Sequence, residues 1–173
     1  MHRAASLGKA GPDVSRVRRV GACPLCQENE LQAAASRPGD VLGMETGWVR
    51  LHRNQRYRGA AFFVSRLCVR EVYHLDRDVQ PRHLDELARV CEAIDVAFSP
   101  VKMNIESLGN GVPHLHWWIT PRHADDPQLS APIWENLNFL REMWTGTGTA
   151  EPTMLEADAA LLRLELLRQG GGD

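Results

Sequence analysis

No stretch of the 173 residues is apolar for long enough to cross a bilayer. The first twenty, with Arg3, Lys9, Arg16, Arg18 and Arg19, also lack the apolar centre of a signal peptide. A cytoplasmic protein with no membrane partner is the expectation. Net charge is nearly absent as well. Twenty Lys and Arg against 22 Asp and Glu leave −2, too little for a global field that would draw the chain to nucleic acid, and none is expected as a partner. Cysteine is sparse, with four in the chain. In a reducing compartment four thiols read as metal ligands, redox groups or core residues rather than a disulfide framework. There is no internal repeat.

What is present suits one compact domain with extensions, since 43% of the residues are hydrophobic. Residues 1–21 mix Gly, Ala, Ser and Arg without periodicity and read as a flexible leader. Residues 22–145 carry the periodic segments. Residues 146–173 read as a linker with Gly146 and Gly148, then a leucine-rich helix. Thr153 and Glu156 predict a capping box at its start, and Gly170, Gly171 and Gly172 predict its stop. Its leucines are expected to pack on the domain or on a second subunit.

Cys23-Pro24-Leu25-Cys26 predicts a tight turn before a short helix over 27–35. Thiolates at this spacing are either half of a tetrahedral metal site or a redox pair activated at a helix N-terminus. The redox reading wants a strand just before the turn, which the polar, Arg-rich residues 11–20 do not supply. Trp48 to His52 and Ala60 to Ser65 predict a hairpin around the polar turn Arg53 to Gly59, whose arginines either meet phosphate or are merely solvated. Leu84, Leu87, Val90, Cys91, Ile94 and Phe98 recur at helical spacing over 81–98, with Cys91 on the buried face as a small core residue. Val101 to Ile105 predicts a strand. The loop Ser107 to Gly111 follows, where glycines let backbone N–H groups approach an anion. Ile133 to Trp144 shows a second helical period.

Between these last segments lies His114-Leu115-His116-Trp117-Trp118-Ile119-Thr120-Pro121-Arg122. Alternation places His114, His116, Trp118 and Thr120 on one strand face and Leu115, Trp117 and Ile119 on the other. Two imidazoles on one exposed face suggest chemistry. The plainer alternative is an edge strand with solvated histidines.

The run from Asn104 through Arg122, with its Asn-bearing glycine loop, HxH pair and Pro-Arg ending, resembles the active-site segment of the histidine-triad (HIT) family. The resemblance extends over about residues 22–145. It implies an α+β fold with a mostly antiparallel sheet, one long helix and a C-terminal helical extension. It also implies a homodimer acting as a nucleotide hydrolase or nucleotidyl transferase. The substrates implied are a dinucleoside polyphosphate, a nucleoside phosphoramidate or a nucleotide sugar. The family's middle histidine attacks the α-phosphorus, and here that position is His116. An unperturbed imidazole, with a pKa of ~6.5, is a nucleophile at neutral pH. Asn54, Asn104 and Asn110 fall where family members contact the nucleotide or its phosphates.

Trp118 stands where the family has its third histidine. Indole donates one N–H and accepts nothing, so it cannot shuttle a proton near neutral pH. It is expected to contact substrate, to fill an altered pocket, or to mark a member that binds nucleotides without turnover. Some family members hold structural zinc, and the matching positions here are Cys23, Cys26, Cys68 and His114, with His52, His74, His83 and His123 as alternatives for the outer pair and Cys91 set aside because its helix phase points into the core. Two other readings stay open: a catalytically inactive, zinc-stabilised nucleotide-binding protein, and a CxxC thiol redox protein.

Overall fold

A computed structural model describes residues 23–34 and 36–170. The leader at 1–21 and the glycines that would stop the last helix at 171 and 172 lie outside the described residues. The chain runs through helix α1 (Pro24–Ala34), strands β1 (Asp40–Gly43), β2 (Gly47–Leu51) and β3 (Ala61–Ser65), helix α2 (Val79–Phe98), strands β4 (Lys102–Glu106) and β5 (His116–Arg122), and helices α3 (Leu137–Thr145) and α4 (Pro152–Gly170). The five strands form one antiparallel sheet in the order β1-β2-β3-β5-β4. This is the α+β architecture with one long helix that the sequence implies.

The alternation of the strands decides the layers. Val49, Leu51, Ala61, Phe63 and Ile119 point to the face on which Val90 and Ile94 of α2 pack, and all are buried in one core cluster. Leu155, Ala159, Leu162 and Leu166 of α4 complete it, so these C-terminal leucines pack on the domain itself, while Leu161, Leu164 and Leu167 are exposed. Pro81 falls in the first turn of α2, where its missing N–H costs nothing. Ser99, at φ 49°, ends the helix in the left-handed region.

Several local expectations change. α1 begins at Pro24, so Cys26 is helical, and its buried residues are Asn29 and Gln32. These donate to the carbonyls of Ser65 and Val49 (both 2.9 Å) and so dock the helix on β2 and β3. β1 gives no sequence signal beyond Val41 and Leu42, yet it forms one edge of the sheet. Leu84 is exposed, whereas His83 and Glu86 are buried. Residues 133–145 split into a 3₁₀ turn (Ile133–Glu135) and α3, because the side chain of Asn136 accepts the N–H of Phe139 and caps the new helix. The capping box at Thr153 is not formed: α4 starts at Pro152, a residue suited to a first helical position, and Thr153 lies inside it. Two of the three hairpin-turn arginines are paired, Arg56 with Glu142 of α3 and Arg58 with buried Asp158 of α4.

The candidate metal centre and active-site strand

β5 starts at His116, so His114 precedes the strand and is buried completely. This corrects the expectation that both imidazoles share an exposed strand face. Leu115 enters a small cluster with Leu75 and Val79, and that anchors the segment between the histidines. Its N–H donates to Val69 and its carbonyl accepts from Ser65. The chain is thereby tied on one side to the 66–69 segment, which carries Cys68, and on the other to β3.

The ligand atoms of Cys23, Cys26, Cys68 and His114 all lie within 4.8 Å of one another. His114 Nδ1 is 3.3 Å from Cys23 Sγ and 3.6 Å from Cys26 Sγ. A tetrahedron with metal–sulfur bonds of ~2.3 Å has edges of about 3.5–3.8 Å, so the cluster has the dimensions of a closed S₃N site. The tautomer agrees. His114 Nε2 lies 2.8 Å from the Ser65 carbonyl, which can only accept, so Nε2 carries the hydrogen and Nδ1 turns a bare lone pair toward the thiols. Burial lowers the pKa of His114 and favours the neutral, ligating form. Burial and hydrogen bonds with Cys68 and Cys23 push the Cys26 thiol up to about 12, and Cys68 is raised, again mainly by burial. Such thiols become thiolates only beside a strong positive charge.

His116 uses the same device in mirror image. Its Nδ1 donates to the carbonyl of His114 at 2.6 Å, so Nε2 holds the bare lone pair, and the residue is half-buried with no thiol beside it. Trp118, next on the same face, is also half-buried. Its ring lies 4.7 Å from Phe62, 5.2 Å from His52 and 6.0 Å from Trp134. Trp118 pairs across the sheet with Phe62 of β3 and Glu106 of β4. Trp134 Nε1 donates to Glu106 Oε1 at 2.8 Å.

The three asparagines are not brought together. Asn54 is buried in the hairpin turn and committed at both ends, with Nδ2 donating to Glu142 and Oδ1 accepting from the Arg56 N–H. It lines an open groove of about 330 Å³ with Gln55, Arg56, Gly148 and Met154. Asn104 accepts from Arg122 through Oδ1. Asn110 is exposed and makes no side-chain hydrogen bond among the described residues. In the loop before His114, Gly109 takes a positive φ of 60°, while a Cβ at Gly111 would meet nothing within 4 Å.

The sequence reading assigns no site role to Glu106, Trp134 or Phe62, although strand alternation from Asn104 puts Glu106 on the same side of β4, and His52, an alternative metal ligand by sequence, lies instead beside Trp118. The reading also missed a buried relay behind the strand. Trp117 Nε1 donates to His83 Nε2 (3.0 Å), His83 Nδ1 to Thr46 Oγ1 (2.9 Å), and Thr46 to Glu86.

Residues 42–125 match the family model of the HIT domain. The fold is similar to that of a histidine triad protein from Sinorhizobium meliloti, 26% identical over 79% of this chain and 93% of that one, with a TM-score of 0.58. A histidine triad protein from Bradyrhizobium japonicum is 24% identical over 79% and 94%, with a TM-score of 0.63. A zinc-bound histidine triad family protein from Mycobacterium smegmatis is 14% identical over 88% and 98%, with a TM-score of 0.60. No curated protein matches. No helix among the described residues is long and apolar enough to cross a membrane.

Proposed function

Because the chain is a histidine-triad superfamily protein, we propose that it cleaves or transfers a nucleoside monophosphate through a covalent nucleotidyl intermediate on His116. The observation that carries this reading is the His116 tautomer: Nδ1–H is held by the His114 carbonyl, and the Nε2 lone pair is left free on a half-buried strand face. In the first step Nε2 attacks the α-phosphorus, and the bond to the leaving group breaks with its electron pair. In the second, water or another acceptor attacks the same phosphorus, and the P–N pair returns to the imidazole. Backbone N–H groups of the 107–113 loop and the free amide of Asn110 are the donors available to the phosphate oxygens. Asn54 and Asn104 would have to leave their present partners to join them.

The fit of the Cys₃His set supports zinc held by Cys23, Cys26, Cys68 and His114, and a zinc-bound relative shares the fold. With four protein ligands such an ion is structural: it ties the N-terminal turn to the segment that orients His116. Pairing of two copies through the β4 edge is the favoured assembly, since among the described residues β4 has no strand on its outer side, Ile105 is exposed on it and Val101 is exposed just before it.

A second reading is nucleotide binding without turnover, favoured by Trp118, whose ring occupies the third triad position and is packed among Phe62, His52 and Trp134. Mass spectrometry after incubation with labelled nucleoside 5′-aryl phosphates separates the two. The enzyme gives an acid-labile adduct mapping to His116 and absent in His116→Ala. The binding protein gives affinity and no adduct. A reversible Cys23–Cys26 disulfide with no metal would instead support a thiol redox protein.

A further inference from the structure

The open surface beside His116 is not uniform in charge. The cross-strand partner of His116 on β3, Val64, is buried completely, so on the β3 side the strand face is closed to a substrate. On the other side the same face continues through Trp118 to its cross-strand partner Glu106, the diagonal neighbour of His116. Glu106 Oε1 is occupied by Trp134, but Oε2 is a buried carboxylate oxygen with no hydrogen-bond partner among the described residues. The other charged residue of β5 on this face, Arg122, cannot balance it. Its guanidinium is enclosed and bonded to Asp126, Asn104 and the carbonyls of Ala131 and Gln128. The side chains leading from His116 to Glu106 are therefore two indoles and an anion, while further cations of this face, Arg50 beside Phe62 and exposed Lys102 four residues back along β4, lie farther along the sheet.

A polyphosphate laid along these side chains would meet a like charge at Glu106, the donors of the 107–113 loop and Asn110 following it in the chain. An ammonium would meet a carboxylate oxygen lacking a donor and the faces of Trp118 and Trp134. Resting on the proposed function, we propose that Glu106, with Trp118 and Trp134, forms a leaving-group subsite selective for a positively charged, amine-bearing group over a polyphosphate.

The test uses the full chain and three substrates sharing one nucleoside monophosphate, linked to an aminoethylamine (free ammonium), to a propylamine of the same size, and to pyrophosphate. The wild type should favour the ammonium over the pyrophosphate and over the neutral isostere in kcat/KM. In Glu106→Gln, which keeps an acceptor for Trp134, the ammonium-to-propyl ratio should fall by about tenfold or more, as loss of a charge-assisted contact implies. A wild-type preference for pyrophosphate would overturn the subsite, as would a ratio unchanged in a folded Glu106→Gln protein or a change in nucleobase preference alone. The aryl-phosphate adduct distinguishes the two levels. An adduct on His116 with an insensitive ratio sinks only the subsite, whereas no adduct from any substrate sinks the proposed function and the subsite with it.

Discussion

Two histidines separated by a single leucine meet opposite environments. His114 is sealed, with its free nitrogen among three sulfur atoms, whereas His116 is half-buried with its free nitrogen on an open face. Both are held by a ring N–H donated to a backbone carbonyl, one through Nε2 and the other through Nδ1. Which nitrogen is tied decides which one reacts, and the neighbours decide whether it meets a metal or a substrate. The two are also in series, because the carbonyl that orients His116 belongs to His114.

The harshest way to break this contrast is at the sealed end. Cys68→Ser, or strong chelation, should release the metal and lower stability by the order of 5 kcal/mol, with turnover lost as the segment carrying His116 loosens. Elemental analysis and thermal unfolding together decide it, and an unchanged melting temperature in a metal-free variant would break the link. At the open end, His116→Ala should reduce turnover at least ~10³-fold with stability changed by less than ~1 kcal/mol. If that variant also lost its metal, the two halves would not be separable in the way the geometry requires.

A third imidazole sharpens the comparison, since His83 has neither nitrogen free. Trp117 donates to one, Thr46 accepts from the other, Glu86 lies beyond Thr46, and Phe63 stacks on the ring at 4.8 Å. Burial lowers its pKa from 6.5 to about 4. The unfolded chain therefore takes up the proton first as the pH falls. This contribution to stability is complete above pH ~6.5 and is lost between there and about pH 4, some 3 kcal/mol in all. His52 and His114, also lowered by burial, act in the same direction. Unfolding free energies measured across that window should be less steep in pH for His83→Gln, and a wild-type slope in the variant would remove His83 from the account. The smallest effect lies in the loop before the histidines. Gly109→Ala should cost about 1 kcal/mol because of its positive φ, while Gly111→Ala should change stability by less than ~0.5 kcal/mol.

Periodicity alone located β2, β3, β5 and α2, because each carries a face of apolar residues whose spacing matches its element. β1 escaped because it owes its place to pairing with β2 and to α4 rather than to a pattern of its own. The metal set was legible only by resemblance. Cys23 and Cys26 announce half a site, but nothing local to Cys68 says that it returns to them. That return depends on the hydrogen bond between Val69 and Leu115. Glu106 and Trp134 were illegible because they meet across 28 residues of chain, and His83 because a histidine among helical leucines shows no partner until Trp117 is packed beside it.

Arg163 of α4 donates to the carbonyls of Asp40 and Val41, at the irregularity in β1. The consequence concerns how far self-association can proceed. A sheet with two receptive borders can add copies at both and grow without limit, as fibres do. Here the β1 border is irregular and the carbonyls of Asp40 and Val41 are already engaged, so of the two borders β4 is the freer one to join. Were two copies to join there as proposed, that border would be used up and growth of the sheet would stop at two.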